Sequence, residues 1–328
     1  MNNSIGRRIS SIHNLYLSTF YSSCVALLYH RINDLEVDNQ LLCVAPDRFH
    51  EQVNYLKNNF TLLDIDEFLE IKKKQNKKFP KKAIVLTFDD GYADNYYQAI
   101  PVLESFHAQA LFYITTEHVD TTNEFWWDEL ENIVLGSPVP LGLELESGDR
   151  KYSFSTGTRE EKIKTYHALH PFMKDKKSRE RNRILEKLRN WSGQKPAGRE
   201  SHRILNSSEI NKMSRSKSVA LGAHTHTHTR LSLLSAEEQL AEIKTSKEIL
   251  EKITEKPIIH FSYPYGEKKD YNSDAVNTCK SLGFEMVFSN FRSIIYAPLS
   301  NFELPRFIVR NWTLHDFKEK LNSFFSQR

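Results

Sequence analysis

The strongest constraint on the fold is a set of short segments in which nearly every residue is apolar. Apolar segments of three to six residues are typical of β-strands that are covered on both faces, as in a parallel sheet. Strands that face solvent on one side would instead alternate apolar and polar residues. The predicted strands are Cys24–Tyr29, Ala83–Phe88, Ala110–Ile114, Val219–Gly222, Ile258–Ser262 and Met286–Phe288.

Amphipathic helices are predicted between these strands. One spans 46–59, and another begins near Asn272 and ends before Gly283. A further helix begins after Ser235, where Glu238 three positions later completes the pattern of a capping box. The apolar face predicted for this helix comprises Leu240, Ile243, Leu250 and Ile253. Strands that alternate with helices indicate an α/β domain with a mostly parallel sheet or barrel.

The segment 119–207 differs from the rest of the chain, and we predict that it is an insertion within a single domain covering residues 1–328. It is strongly charged between 174 and 187 and is predicted to be largely helical after Arg159. Near its start lies the aromatic segment Phe125–Asp128. Aromatic side chains there could line a substrate groove or fill a core, and the sequence leaves both interpretations open.

The composition supports a folded globular protein. Apolar residues make up 39% of the 328 residues and aromatic residues 12%, unlike a disordered chain. The net charge of +3 indicates no nucleic-acid partner, although mild basicity suits an anionic glycan or a lipid headgroup. The three cysteines lie far apart and form no CxxC pair, so we expect isolated reduced thiols.

The N-terminal sequence predicts a cytoplasmic protein. A secretory signal has a continuous apolar run of about 7–15 residues, whereas polar residues interrupt the apolar positions between His13 and Ser23. The run Cys24–Tyr29 is too short to span a bilayer. An amphipathic helix over 9–21 could either contact the inner face of a membrane peripherally or pack on the rest of the protein.

The first group of candidate catalytic residues follows the strand Ala83–Phe88. Asp89 and Asp90 stand side by side at its end, before Gly91 and Tyr92. Catalytic groups gather at the carboxyl ends of strands in parallel sheets and barrels. Two adjacent carboxylates there need a counter-charge, such as a metal ion or an arginine, to be ionised together. The alternative is a turn in which Asp90 caps the following helix.

The second group consists of His224, His226 and His228, which follow the strand Val219–Gly222. Neutral imidazole is the commonest metal-binding side chain. An extended backbone would place all three rings on one face, whereas a turn or helical path would bring together only His224 and His228. A solvated polar loop is the remaining alternative.

Two weaker signals follow other strands. The turn Tyr263–Gly266 could direct free backbone N–H groups at a developing oxyanion. His30 follows the first strand, where a lone histidine is usually structural. Taken together, these strand ends could supply one aspartate and two histidines to a metal ion with open positions for water and substrate. Zinc would satisfy such a site, and cobalt, nickel or iron would also fit.

With these residues, the chain resembles the polysaccharide deacetylases of carbohydrate esterase family 4, the NodB-homology group. The run Thr87–Tyr92 (TFDDGY) looks like the first motif of that family, and His224–His228 looks like its H-[ST]-x-x-H second motif. The resemblance extends over most of the chain outside 119–207 and implies a distorted (β/α)7 barrel. It implies a general base at Asp89, metal ligands at Asp90, His224 and His228, and an oxyanion-binding backbone N–H at Tyr265. His226 falls on a variable position and is left out of the site.

The chain departs from the family pattern in two places. The usual third motif has an arginine where this chain has Ser262, and we predict that Arg306 replaces it as the partner of the base. The usual C-terminal Leu-x-His motif, which supplies the general acid, is absent from its expected place, but Leu28–His30 has this pattern. This order resembles the circularly permuted poly-N-acetylglucosamine deacetylase branch and implies that His30 is the general acid.

The resemblance implies a metal-dependent hydrolase that removes an N-acyl group, in the first place acetyl, from an amino sugar. The expected substrates are an N-acylated amino sugar, an oligosaccharide or a lipid-linked glycan precursor in polysaccharide biosynthesis or modification. Deformylation and O-deacetylation use the same apparatus and are alternatives. A non-catalytic glycan-binding module on the same fold is a third alternative, supported only by the absence of arginine at Ser262.

Overall fold

A computed structural model describes residues 22–74, 78–138, 142–147, 150–194 and 198–326. In chain order the strands in these ranges are β1 (Ser23–Tyr29), β2 (Arg31–Ile32), β3 (Cys43–Val44), β4 (Thr61–Leu62), β5 (Ala83–Phe88), β6 (Ala110–Ile114), β7 (Leu143–Ser147), β8 (Arg150–Phe154), β9 (Val219–Ala223), β10 (His260–Ser262), β11 (Met286–Phe288), β12 (Ile295–Tyr296) and β13 (Phe307–Ile308). The α-helices are α1 (Pro46–Asn59), α2 (Ile65–Lys73), α3 (Ile100–Ser105), α4 (Trp126–Gly136), α5 (Arg159–Lys174), α6 (Ser178–Ser192), α7 (Ser207–Met213), α8 (Ala236–Thr254), α9 (Ser273–Ser281) and α10 (Leu314–Ser326). A π-helical turn lies at Asn95–Ala99, and 3-10 turns lie at Glu200–His202 and Leu231–Leu233.

Seven of the described strands run parallel, in the order β11-β10-β9-β6-β5-β1-β13. Two short strands extend this sheet, since β4 runs parallel to the start of β5 and β12 runs antiparallel to the start of β1. The chain between β11 and β13 connects the two ends of the sheet. Leu304 bridges to Phe288 of β11, and three residues later β13 pairs with β1. The sheet therefore curls towards a closed barrel.

The central strands are buried on both faces. Along β1, Val25, Leu27 and Tyr29 face one apolar cluster, while Cys24 and Ala26 face another. The first cluster also contains residues of α1, α3 and α7 to α10, and the second contains residues of α2. Neither face meets water, so the strands show no polar alternation, and the predicted parallel sheet is confirmed.

Most of the predicted element bounds agree with the structure. The helix α1 and the strands β5, β6 and β11 have the predicted limits, and the capping box formed by Ser235 and Glu238 is present at the start of α8. The strand β9 extends one residue beyond its prediction, to Ala223, and β10 begins two residues later than predicted, at His260. These differences lie within the usual uncertainty of element ends.

The face predicted for α8 is wrong at Leu240, which is 41% exposed. The helix instead buries Gln239, Ile243, Ser246 and Leu250, together with Thr254 at its end. These positions repeat every three or four residues, and Leu240 lies one position, about 100°, away from that stripe. The face of α8 that is buried therefore includes polar side chains, and it is not the most apolar face of the helix.

Between β6 and β9 the chain adds a set of elements that pack around their own apolar cluster. This cluster contains residues of α4, α5 and α6 and of the hairpin formed by β7 and β8. The helices α5 and α6 agree with the predicted helical character after Arg159, whereas the hairpin was not predicted. These elements support our proposal that 119–207 is an insertion within one domain.

Two predictions concern the ends and the cysteines of the chain. The helix predicted over 9–21 lies outside the described residues. In the described ranges, none of the helices has both the length and the apolar character that crossing a bilayer requires. All three cysteines are buried and free, as predicted.

Candidate active site

Polar side chains from separate parts of the chain meet at one edge of the sheet, beyond the carboxyl ends of the strands. This is where catalytic groups collect in parallel α/β folds. His30 follows β1, the two aspartates follow β5, and His224 follows β9. The turn with Tyr265 follows β10, and Arg306 directly precedes β13.

Asp90, His224 and His228 form a buried group in which one ligand atom of each residue lies within 4.8 Å of the other two. The Nε2 atoms of His224 and His228 lie 3.6 Å and 3.3 Å from Oδ1 of Asp90. Tetrahedral coordination at about 2.0–2.1 Å would separate neighbouring ligand atoms by roughly 3.3 Å, so these donors fit one small cation. Among the described residues, this is the only group of His, Cys, Asp and Glu side chains that meets this distance criterion.

The charge states of this group also suit a cation. Burial lowers the pKa of His228 to about 4, even though the hydrogen bond and charge of Asp90 oppose this shift, so the ring is a neutral ligand at neutral pH. Burial alone would raise the pKa of Asp90, but hydrogen bonds with His224 and His228 outweigh it and hold the pKa well below its usual range. One carboxylate and two imidazoles form a donor set that binds a divalent metal.

The backbone of the histidine segment explains why these two rings meet. The chain leaves the extended conformation after β9, and Thr225 and His228 have positive φ angles of 62° and 50°. His226 instead points away from the group, and its Nδ1 lies 3.0 Å from Oγ1 of Thr116. The turn interpretation is therefore right, and the extended-strand interpretation with three rings on one face is wrong.

Different contacts orient the two histidine rings. Nδ1 of His224 lies 2.8 Å from the backbone oxygen of Ser262, which leaves Nε2 free to bind a metal. Nδ1 of His228 has no hydrogen-bond partner among the described residues. The His228 ring instead packs edge-on against Trp127 and Tyr265, with ring centroids 4.7 Å and 4.8 Å away.

A tight turn after β5 directs Asp90 into the group. Asp90 and Gly91 have φ angles of 77° and 87°, and a Cβ atom on Gly91 would lie 3.0 Å from the side chain of Ile114. Glycine suits this position because it tolerates both the conformation and the close approach. The carboxylate of Asp90 faces His224 and His228, so the alternative in which Asp90 caps the next helix is wrong.

Arg306 and Asp89 form a buried ion pair with two parallel hydrogen bonds. Nη1 donates to Oδ1 and Nη2 donates to Oδ2, both at 2.7 Å. Arg306 also donates through Nη2 to Oγ of Ser262 at 2.7 Å, through Nη1 to Oγ1 of Thr87 at 3.2 Å and through Nε to the backbone oxygen of Ser289 at 2.8 Å. The structure thus brings Arg306 to Asp89, the predicted base, and the short side chain of Ser262 accepts a hydrogen bond from Arg306.

The ion pair sets the charge of Asp89. Burial alone would raise the pKa of this carboxyl, but the charges of Arg306 and His224 and the hydrogen bonds from Arg306 lower it below its usual value. Asp89 is therefore ionised at neutral pH. Each of the two adjacent carboxylates has its own cationic or hydrogen-bonding partner, as the sequence required.

The turn after β10 leaves a backbone donor free at the site. Tyr265 and Gly266 have φ angles of 62° and 69°, and Asn290 donates from Nδ2 to the backbone oxygen of Tyr265 at 3.2 Å. The N–H group of Tyr265 donates to no described residue. It is therefore available to a ligand.

His30 borders the same pocket as Asp89 and Asp90. Burial lowers the pKa of its ring, although the charges of Asp90 and Asp89 act in the opposite direction. Its backbone oxygen accepts a hydrogen bond from Nδ2 of Asn95 at 2.8 Å, which fixes the end of β1. The histidine predicted from the Leu28–His30 pattern thus lies beside the candidate base and metal ligands.

The pocket has a volume of about 210 Å³, and the insertion supplies one of its walls. Trp127 from α4 and His170 and Lys174 from α5 border it. The aromatic opening of the insertion therefore serves both predicted purposes, because Trp127 is buried in a core and also lines the pocket. Sequence reasoning missed several lining residues on other elements: Gln40, Leu42, Glu267, Asn290, Ile308 and Arg310. No motif marks these positions, and only tertiary packing brings them to the pocket.

A metal-dependent hydrolase is the class of protein that this fold and site define. A curled parallel α/β sheet carries an Asp-His-His group and an arginine-held carboxylate in one pocket. The family model of the polysaccharide deacetylases matches residues 76–139 and 169–287, more than half of the chain, so the chain belongs to this family. The matched segments contain the Asp-His-His group and Tyr265, whereas His30 and Arg306 lie outside them.

Individual relatives agree with this assignment. The chain is 25% identical over 303 residues to a poly-beta-1,6-N-acetyl-D-glucosamine N-deacetylase of Staphylococcus epidermidis. The alignment covers 88% of this chain and 80% of the relative. The structure of IcaB from Ammonifex degensii superposes with a TM-score of 0.60 at 15% identity, covering 92% of this chain and 97% of that chain. The Streptococcus pyogenes deacetylase PplD superposes with a TM-score of 0.59 at 18% identity, covering 92% and 98%. The predicted family and the predicted distorted barrel fold are confirmed.

Proposed function

We propose that this protein is a metal-dependent N-deacetylase that removes acetyl groups from an N-acetylated amino-sugar oligomer or polymer. One observation carries the proposal: the Asp-His-His group borders the same pocket as Asp89, the carboxylate that Arg306 holds from behind. The Staphylococcus epidermidis relative is named for deacetylation of poly-beta-1,6-N-acetyl-D-glucosamine, which supports a glycan substrate. Oligomers of N-acetylglucosamine are therefore the first substrates to test.

Asp90, His224 and His228 would hold the cation. Zinc is our first choice because one carboxylate and two imidazoles are typical zinc ligands, and cobalt, nickel or iron would also fit. When bound, a divalent cation polarises the substrate carbonyl and lowers the pKa of water towards about 7.

Asp89 is the proposed general base. Arg306 occupies one lone pair on each carboxylate oxygen and fixes the plane of the group. The remaining lone pairs can accept a proton from the attacking water. Because the pKa of Asp89 is lowered, the group is ionised and ready to accept that proton at neutral pH.

Tyr265 and His30 are proposed to act on the two other reacting atoms. When water adds to the amide carbon, negative charge develops on the former carbonyl oxygen, and the free N–H of Tyr265 can donate to it. The C–N bond then breaks, and the departing nitrogen needs a proton because an amide anion is a very poor leaving group. Burial lowers the pKa of His30, so its ring would first gain the proton that Asp89 took from the water and then deliver it to the departing nitrogen. The products are acetate and the free amino sugar.

Two kinds of alternative to N-deacetylation were left open by the sequence: another acyl substrate and a non-catalytic module. Removal of a formyl group, or of an O-linked acetyl group, would use the same residues and remains a test outcome. The non-catalytic module depended on the missing arginine at Ser262, and Arg306 now occupies that place beside Asp89. No other observation favours that alternative.

The decisive experiment measures metal content and product in parallel. The purified protein is loaded with Zn²⁺ or Co²⁺ and incubated with N-acetylglucosamine oligomers, and acetate release is assayed together with the mass of the sugar product. We expect acetate release and loss of one acetyl mass per deacetylated residue, and neither with Asp89→Asn. Metal binding without acyl release from any N-acetyl, N-formyl or O-acetyl sugar would refute the proposal that this protein is a deacylating enzyme.

Cellular context remains a proposal in three respects. We propose a cytoplasmic location, a lipid-linked or soluble glycan precursor as the natural substrate, and a peripheral membrane contact through residues 9–21. Fractionation of cells that express the chain with and without residues 1–21 tests the location and the contact together. Equal amounts of both forms in the soluble fraction would refute the membrane contact.

A further inference from the structure

A buried arginine of the insertion contacts the loop that carries the metal-binding histidines. Arg181 lies on α6 and is only 1% exposed. Its Nη2 donates to the backbone oxygen of Thr227 and to Oγ1 of Thr229, both at 3.0 Å, and its Nη1 lies 3.5 Å from the backbone oxygen of His228. The guanidinium also lies 5.3 Å from the ring centroid of Trp126.

Arg181 has no acidic partner within ion-pair distance among the described residues. A buried charge is costly unless it is hydrogen-bonded, and here backbone oxygens and one hydroxyl supply the acceptors. The hydrogen-bond acceptors of Arg181 among the described residues therefore lie on the loop 227–229, and its charge also acts on the carboxyl of Glu117. The same bonds constrain that loop from the side of the insertion.

The loop needs such constraint because of its own geometry. His228 has a φ angle of 50°, which a non-glycine residue adopts only when the surrounding structure imposes it. From the other side, Glu242 of α8 accepts hydrogen bonds from the N–H groups of His226 and Thr227 and from the hydroxyl of Thr227. Glu242 thus accepts hydrogen bonds from N–H and hydroxyl groups of the loop, and Arg181 donates hydrogen bonds to its carbonyl and hydroxyl oxygens.

His228 depends on this scaffold more than His224 does. His224 has an anchor on its own ring, the backbone oxygen of Ser262. The Nδ1 atom of His228 has no partner among the described residues, so the position of its backbone and the packing of Trp127 and Tyr265 set the ring orientation. A shift of the backbone at His228 would move Nε2 away from Asp90.

We infer that Arg181 is a positioning residue of the metal site and that the insertion completes the site by holding the carbonyls of Thr227 and His228. This inference rests on the proposed function, since it concerns the cation that Asp90, His224 and His228 would bind. It makes the insertion part of the catalytic centre in addition to being a wall of its pocket.

The test compares metal affinity in matched arginine variants of the full chain. Arg181→Ala removes the three loop contacts, whereas Arg183→Ala removes the same charge from an exposed position on the same helix. Removing a residue that orients a metal ligand typically costs 10–100-fold in metal affinity. We therefore expect the Co²⁺ dissociation constant to rise about 10–100-fold in Arg181→Ala and to stay within about twofold in Arg183→Ala.

Two further readouts separate positioning from general stability. The absorption spectrum of bound Co²⁺ reports coordination geometry, and we expect it to change in Arg181→Ala. Guanidinium at low, non-denaturing concentration can enter the space left by the side chain, and it should restore part of the affinity and the spectrum. A purely structural role would lower the melting temperature of the metal-free protein without either effect.

Milder variants keep the inference testable if Arg181→Ala does not fold. Arg181→Lys retains the charge without the planar fork, and Thr229→Val removes one acceptor without changing the shape of the side chain. Each should weaken Co²⁺ binding by about 3–10-fold, since each keeps part of the contact. Affinities within twofold of wild type in both variants would overturn the inference. A wild-type protein that binds no metal would instead overturn the proposed function.

Discussion

The ion pair between Arg306 and Asp89 gives the sharpest prediction for the energetics of this fold. The two side chains are 0% and 6% exposed, so solvent screening is small, and both hydrogen bonds between them measure 2.7 Å. Arg306→Gln removes the counter-charge and leaves Asp89 buried next to Asp90. Removing one partner of a buried pair costs about 3–5 kcal/mol, and we expect this loss in the free energy of unfolding of the metal-free protein.

A double-mutant cycle isolates the contribution of the pair. In Asp89→Asn/Arg306→Gln no uncompensated charge remains at this position, so the two losses should not add. We expect a coupling energy of about 2–3 kcal/mol, well above the 0.3–0.5 kcal/mol scatter of independent sites. Urea unfolding at pH 7, followed by circular dichroism, gives all four free energies. Arg292→Gln is the matched control, because Arg292 is exposed and lies in the same part of the chain.

A further variant should show that the ion pair affects turnover and not metal binding. Arg306→Lys retains a positive charge but cannot form two parallel hydrogen bonds, so turnover should fall while the metal dissociation constant stays within a few-fold of wild type. Additive losses in the cycle, within about 0.5 kcal/mol, would mean that the two side chains do not interact in solution. The proposed orientation of the base would then be wrong.

Three other predictions concern single residues. Asp89→Asn should abolish turnover and still bind metal, which acetate assays and metal analysis check together; wild-type turnover would exclude Asp89 as the base. His228→Ala should weaken metal binding about 10–100-fold or more. The control His226→Ala should bind metal within about twofold of wild type, because the His226 ring contacts Thr116 and not the metal ligands. Equal losses of metal affinity in the two variants would contradict the turn geometry. Burial raises the pKa of Asp128 to about 7, against about 3.9 in an unfolded chain, so its contribution to stability is present below about pH 4 and is lost as the pH rises through about 7. Asp128→Asn should therefore be more stable than wild type at pH 8 and should flatten the dependence between pH 4 and 7, which urea unfolding across pH measures; an unchanged slope would refute the raised pKa.

Much of the fold and the metal group could be predicted from the sequence because local patterns determine them. Continuous apolar runs marked the central strands, and the polar residues directly after β5 and β9 marked the site, since carboxyl ends of parallel strands share one edge. Arg306 was proposed through the family resemblance, because the usual third motif has an arginine where this chain has Ser262. The capping box at Ser235 needed only three residues of local sequence.

What the sequence did not reveal depends on how distant elements pack. The hairpin of β7 and β8 is short and separate from the main sheet, so no buried run marked it. Leu240 was assigned to the buried face because it is apolar, although the docking angle of α8 decides which stripe is covered. Arg181, His170 and Lys174 lie on charged amphipathic helices that resemble any surface helix, and their contacts appear only after the insertion docks.

The way in which the barrel closes has a consequence for the synthesis of the protein. Arg306 lies between the bridge to β11 and the pairing of β13 with β1, so the arginine arrives with the last connection of the sheet. A nascent chain emerging from the ribosome contains both aspartates and the two histidines proposed as metal ligands before it contains this guanidinium. Until then, a fragment could collect a cation but would lack the cationic partner that orients the carboxylate accepting the proton. The residues that would hold the cation and the arginine that orients the carboxylate are thus joined only when β13 and α10 have added their side chains to the core.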